Sequence, residues 1–267
     1  MAPVLTQAIW RRRTSLLWWS LGLLLTVALV AVAYPTIRDN NELGKTFQGL
    51  PPSVQAMLGL DPNSLLTSPA GYLNSQFYAN LLPIILLVFS IGLASWAIAG
   101  DEAAGTLELL LSNPLGRLRL GIERATFVVA MLGIVTAVTL AGLWLVAPRV
   151  GLTKGLSLEH IAAATVATAL MSLVFAAFAF SVGAATGNRS MAVSLAAALA
   201  VAGFLVEGLG AQVTFLKPLR VLSPWHWLLG SEPLRNGWVA EAWLLPLGVS
   251  AAVIAIGVAA FLRRDLR

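Results

Sequence analysis

Six apolar runs, separated by shorter polar stretches, set the pattern of this chain. Thr14–Ile37 carries no charge and is most apolar over Leu16–Ala33. The second run begins after Gln76 and reads NLLPIILLVFSIGLASWAIAG to Gly100. Ala125–Pro148, Ile161–Asn188, Ser190–Val206 and Ala242–Leu262 follow, the fifth extendable past Glu207 toward Val213. A bilayer core is crossed by about 20 mostly apolar helical residues. The pattern therefore predicts an all-α integral membrane protein with one transmembrane domain over residues 1–267 and spans at 15–35, 78–99, 125–147, 161–187, 190–210 and 242–262. Pro83 is expected in the first turn of the second span, where its missing N–H costs nothing.

The first run also resembles a signal peptide, with Arg11–Arg13 as the basic region and Ala31-Val32-Ala33 as a cleavage site. Its apolar part exceeds the 7–15 residues of a signal core, and Trp18 and Trp19 suit an interfacial belt. Retention as a span is expected, with Met1–Trp19 starting as a helix in the headgroup plane and then turning inward.

The polar stretches differ in character. Gly100–Arg124 (GDEAAGTLELLLSNPLGRLRLGIER) concentrates Asp101, Glu102, Glu108, Glu123, Arg117, Arg119 and Arg124 around an apolar block, Leu107 and Leu109–Leu111. Asn113-Pro114 ends any helix there, because proline cannot continue one. Leucines so placed call for a protein cover. Arg38–Gln76 holds a predicted short amphipathic helix, Pro51–Leu60, after which Tyr72, Phe77 and Tyr78 lead back to the membrane. Glu207–Glu241 interleaves Trp225, Trp227 and Trp238 with prolines 218, 224 and 233. Apolar pieces too short to cross fit re-entrant or interfacial helices capping the outer mouth.

Composition agrees with this reading. The chain is 58% hydrophobic and 11% charged, where soluble domains carry about 25% charge. Mean hydropathy is +0.83 and the pI is near 10.2. The basic surplus bears on topology and anionic headgroups rather than nucleic acid. With both termini inside, the inner segments hold ten Lys+Arg (Arg11–Arg13, Arg117, Arg119, Arg124, Arg189, Arg263, Arg264, Arg267) and the longer outer ones seven. That bias predicts cytoplasmic termini and a cytoplasmic Gly100–Arg124. The absence of cysteine excludes disulfides and thiolate metal sites.

No catalytic or metal constellation emerges. Gly44-Lys45-Thr46 lacks the leading glycine of a nucleotide-binding loop, since position 39 is Asp. His160 and His226, each with one acid nearby (Glu159, Glu232), do not make a metal site. Glu207 beside Gly208 and Gly210 is expected to face water, and His226 to hydrogen-bond its neighbours. Gly183-x-x-x-Gly187 and the stripe Ser194, Ala198, Ala202 permit close helix contacts in a bundle or dimer.

Asp101-Glu102-Ala103-Ala104-Gly105-Thr106-Leu107-Glu108-Leu109-Leu110-Leu111-Ser112-Asn113-Pro114, followed by Arg117, resembles a motif of the type-2 permease family, the membrane subunits of ATP-binding-cassette (ABC) exporters. Ser223-Pro224-Trp225-His226 with Pro233-Leu234 and Gly237, and the basic ends of the chain, are similar to further family features. Where many members place a Lys after the Arg, this chain has Glu123-Arg124. The resemblance implies a coupling helix between spans two and three, seated in a cleft of a separate ATPase subunit. Its residues would be Asp101, Glu102, Gly105, Thr106, Leu107, Glu108, Leu110, Leu111, Pro114 and Arg117. Leu107, Leu110 and Leu111 share one helical face. Gly105 frees the preceding turn, Thr106 suits an N-cap, and Glu102 and Glu108 would meet basic or backbone donors. The outer cap would comprise Pro224, Trp225, His226 and Trp227.

Six spans are half the family's usual twelve. The resemblance thus implies a second permease, identical or related, and two ATPases that bind ATP and Mg; this chain binds neither. The implied cargo is hydrophobic or amphipathic: a drug, an antibiotic or a lipid. Polysaccharide export, ion extrusion and metalloenzyme assembly are family alternatives. A lipid-modifying enzyme would need clustered His, Asp or Glu. A secondary transporter would more often show inverted repeats and mid-span ionisable residues.

Overall fold

The computed structural model describes residues 3–38, 54, 68–105, 116–210 and 213–264. Among the described residues six helices are long and apolar enough to cross a membrane, and no strand occurs. We label them α1 (Pro3–Arg38), α2 (Pro69–Trp96), α4 (Arg117–Val150), α5 (Leu158–Thr186), α6 (Arg189–Gly210) and α10 (Ala240–Arg263). Short helices complete the set: α3 (Ala99–Ala103), α7 (Lys217–Arg220), α8 (Pro224–Leu229) and α9 (Pro233–Asn236). The predicted helix Pro51–Leu60 lies outside the described residues except Val54, which is helical and exposed.

The first helix departs from expectation. α1 runs unbroken through Arg11–Arg13 and Trp18-Trp19, with no turn from the headgroup plane. At about 1.5 Å per residue its 36 residues reach about 54 Å, beyond a core of about 30 Å. α4 is nearly as long and lies parallel to it. Glu123 accepts a hydrogen bond from the Leu5 amide at 3.1 Å, and further up, a Cβ on Gly142 would come within 2.7 Å of Leu24.

α2 begins at Pro69, earlier than expected, and Tyr72, Phe77 and Tyr78 are buried parts of it. Pro83 stands in the first turn of the α-helical part, Leu82–Trp96, as expected, although a π-helical stretch runs into it. Residues Asn74–Leu81 form a π-helical stretch in which Leu82 N–H reaches the carbonyl of Phe77. Widening the turn just before the proline is one way to accommodate a residue that cannot sit in the regular ladder. Buried hydroxyls in this region find partners. Tyr72 donates to the Val30 carbonyl at 2.7 Å, and Tyr78 lies 2.8 Å from Thr165 Oγ1.

α5 is the hub. Its apolar window is 83% buried, against 22% for α1 and 28% each for α6 and α10. Alanines at Ala163, Ala164, Ala167, Ala176, Ala177 and Ala179 are buried, which lets neighbouring helices approach without large side chains intervening. α10 comes closest: a Cβ on Gly257 would stand 2.7 Å from Ser181 Cα. The small-residue motifs act only partly as expected: a Cβ on Gly183 would meet Ala99 at 3.5 Å and Ala192 at 3.7 Å, a close approach between helices. Gly187 ends α5 at φ +69 instead of packing in a helix face, the left-handed cap that glycine adopts freely. On α6, Ala192, Ala196 and Ala200 pack inward, leaving the expected stripe Ser194, Ala198, Ala202 exposed.

Candidate functional site

One end of the bundle, here the base, gathers the start of α1, α3, the start of α4, the end of α5, the start of α6 and the end of α10. Asp101 on α3 is buried and ion-paired with the buried Arg124 of α4. Arg11 of α1 reaches the same carboxylate at 3.7 Å. A buried carboxylate keeps its charge only when paired in this way. Trp96, at the end of α2, lies among three guanidiniums: Arg12, Arg124 and Arg11 stand 4.1, 5.4 and 5.8 Å from its ring centroid. Such cation–π contacts strengthen where water is excluded. The indole folds over Gly100, at which a Cβ would lie 2.2 Å from Trp96 Cδ1.

The remaining charges extend this network across the base. Glu102 pairs with Arg264, whose Nη1 donates to the Ala184 carbonyl at 3.2 Å. Arg117 Nη1 in turn donates to the Arg264 carbonyl at 2.9 Å. Glu123 accepts from Arg119 at 2.9 Å while holding the start of α1. Of the residues the sequence assigned to ATPase coupling, Asp101, Glu102 and Arg117 therefore meet partners in this chain. Gly105 takes φ +67 just after α3. Thr106, Leu107, Glu108, Leu110, Leu111 and Pro114 lie outside the described residues.

At the opposite end, Glu207 overturns its sequence reading. It is 8% exposed and accepts from Arg220 Nη2 at 2.6 Å and Nε at 3.2 Å. His226 Nδ1 lies 3.0 Å from the same carboxylate. The hydrogen bonds to Glu207 raise the Arg220 pKa above its ordinary value, burial opposing them. Glu232, the acid near His226 in sequence, pairs with Arg235 at 3.0 Å. The other histidine, His160, has Nδ1 3.1 Å from the Leu234 carbonyl.

The four residues expected to form an outer cap lie at this end. Pro224 opens α8. Trp225 donates to the Ala200 carbonyl at 3.0 Å and packs edge-on against Phe204. Trp227 donates to Val221 at 2.7 Å, and Ser223 Oγ donates to Gly203 at 3.0 Å. The segment is thus bonded to α6 through Trp225 and Ser223 and also packs against α5 and α10.

Between α2 and α6 runs a cavity of about 530 Å³. Ile84, Val88 and Ile91 line one wall and Val193, Ala197 and Val201 the other, with Trp225 at one end and Arg189 at the other. No group of three or more potential metal ligands occurs among the described residues. Sequence reasoning missed Arg11, Arg12, Trp96 and Arg124 as one cluster, because they come from three separated segments.

Comparison with known proteins gives one match and one blank. Residues 9–266 match the family described as ABC-2 family transporter protein, nearly the whole chain. No curated protein matches it.

Proposed function

Because the chain belongs to the ABC-2 family of transporter proteins, we propose that it is the permease subunit of an exporter powered by a separate ATPase. The family match over residues 9–266 carries this reading. The ATPase seats on residues 106–115, and its movements enter through α3 and the start of α4, the two segments flanking that seat. Asp101, Glu102 and Arg117 receive the movement and pass it to α1 and to the end of α10. A second permease, identical or related, packs against α6, whose small-residue stripe Ser194, Ala198, Ala202 is left exposed. Hydrophobic or amphipathic cargo enters from the cytoplasmic side along the α2–α6 cavity, whose walls are almost wholly apolar, and leaves past the Trp225 cap. The termini lie in the cytoplasm, as the arginine-rich base suggests. ATP and Mg bind only to the partner, and this chain catalyses nothing itself.

Co-purification with its ATPase tests the docking surface. Leu110→Asp is expected to abolish association by placing a charge on the buried face of the coupling helix; unchanged association overturns this seat. ATP hydrolysis by the assembled complex, measured against a panel of drugs and lipids, then identifies the cargo.

A further inference from the structure

The base of the α2–α6 cavity carries more positive charge than the described residues neutralise. Arg11, Arg12 and Arg124 surround Trp96, which stands one turn beyond the cavity residue Gly92. Arg189, in the cavity wall, is near enough for its charge to act on Arg12. Asp101 is shared by Arg124 and Arg11, while Glu123 and Glu102 are engaged by Arg119 and Arg264. Among the described residues neither Arg12 nor Arg189 has a carboxylate at ion-pairing distance. Arg124 Nη1 is likewise buried without a hydrogen-bond partner among them. Unmet guanidinium charge at the edge of an apolar environment favours an anion with several acceptor oxygens, for which phosphate is suited.

The groove leading from these arginines is apolar and long. From Arg189 to Phe204 it follows fifteen residues of α6, about 22 Å at 1.5 Å per residue, more than half the depth of a bilayer core. We propose that this groove binds an anionic phospholipid, its phosphate at Arg12 and Arg189 and an acyl chain along Val193, Ala197 and Val201. The charge at one end and the apolar walls beyond it match a single amphiphile, whereas a free anion would leave the walls unused. This deepens the permease reading, on which it rests, by naming the charge and class of the molecule its cavity takes.

The test is native mass spectrometry of the detergent-purified full chain, without an ATPase, offered equal amounts of phosphatidylglycerol and phosphatidylcholine with identical chains. Selective retention of phosphatidylglycerol is expected. R12Q and R189Q should each lower that selectivity roughly fivefold, the value of one basic residue near an anionic headgroup. R149Q, at the other end of the bundle, should leave it intact. Ala197→Trp, which fills the groove on its exposed wall, should lose the lipid with both arginines in place. Equal retention of the two lipids overturns the proposal, as does an equal loss in R149Q. Displacement of phosphatidylglycerol by inorganic phosphate at matched concentration overturns it too, by showing that the chain contributes nothing. Arg189 is exposed, so its variant folds independently of the outcome. If the ATPase associates but no selectivity is seen, this inference fails alone. If selectivity is seen and no ATPase ever associates, the permease reading fails alone.

Discussion

Each end of the bundle buries a carboxylate against two basic side chains, yet the two arrangements connect different things. At the base, Asp101 meets Arg124 only 23 positions away, but other bonds join residues far apart: Leu5 to Glu123 spans 118 positions and Glu102 to Arg264 spans 162. At the cap, Glu207 meets Arg220 and His226 only 13 and 19 positions away. The base therefore ties α1, α3, α4 and α10 into one body, so a force on any of them reaches the others. The cap's carboxylate cluster is local to the end of α6 and the turn after it, although α8 and α9 also pack against α5, where Leu234 meets His160. Two similar clusters thus differ in reach: one joins separate helices and the other closes a local turn.

Substitutions at matched positions test this contrast. The largest effect is expected for Arg124→Ala, which strands Asp101 in a buried site and should cost about 3–5 kcal/mol. Thermal unfolding in detergent would measure it, and replacing Asp101 and Arg124 together by leucine should recover most of the loss. Glu207→Ala should cost less, about 2–3 kcal/mol, because its partners are partly exposed. Its signature should be local, with Trp225 becoming accessible to an aqueous quencher while melting of the bundle changes little. Parallel losses in both variants would show that the ends are not separate units.

Two glycines sharpen the comparison further. Gly100→Ala drives a methyl into the Trp96 indole and should cost about 1–3 kcal/mol, as overpacking does. The methyl of Gly203→Ala would stand 3.1 Å from Trp225 Cδ1, a crowding of a few tenths of an ångström. A cost below about 1 kcal/mol is expected there. A larger cost at Gly203 than at Gly100 would mean that the cap, and not the base, is the rigid end.

The six spans could be read directly because each needs only a long apolar run, a local property of the chain. Their partners could not. Ala192, Ala196 and Ala200 have the same spacing as Ser194, Ala198 and Ala202, so periodicity alone cannot choose the inward stripe. Glu207 looked solvent-facing beside two glycines, since nothing local announced that Arg220 and His226 would fold back over it. Pro83 does open an α-helical segment, but the π-helical stretch joined ahead of it leaves no signature in hydropathy. The Trp96 cluster is the extreme case, drawing arginines from α1 and α4 onto an indole of α2. The coupling residues from Thr106 to Pro114 were chosen from resemblance and lie outside the described residues, so their placement rests on that resemblance.

The parallel run of α1 and α4 has a mechanical consequence. Two rods of about 50 Å, joined near one end and in close contact midway, behave as a plank rather than as separate struts. A tilt of about 10° at one end would carry the other through about 9 Å, enough to open a path for a molecule many times smaller than the protein. Spin labels at Thr14 and Leu145, both exposed, should keep a constant separation as nucleotide is bound and hydrolysed. A changing distance would mean that the plank flexes and that the stroke is taken up elsewhere.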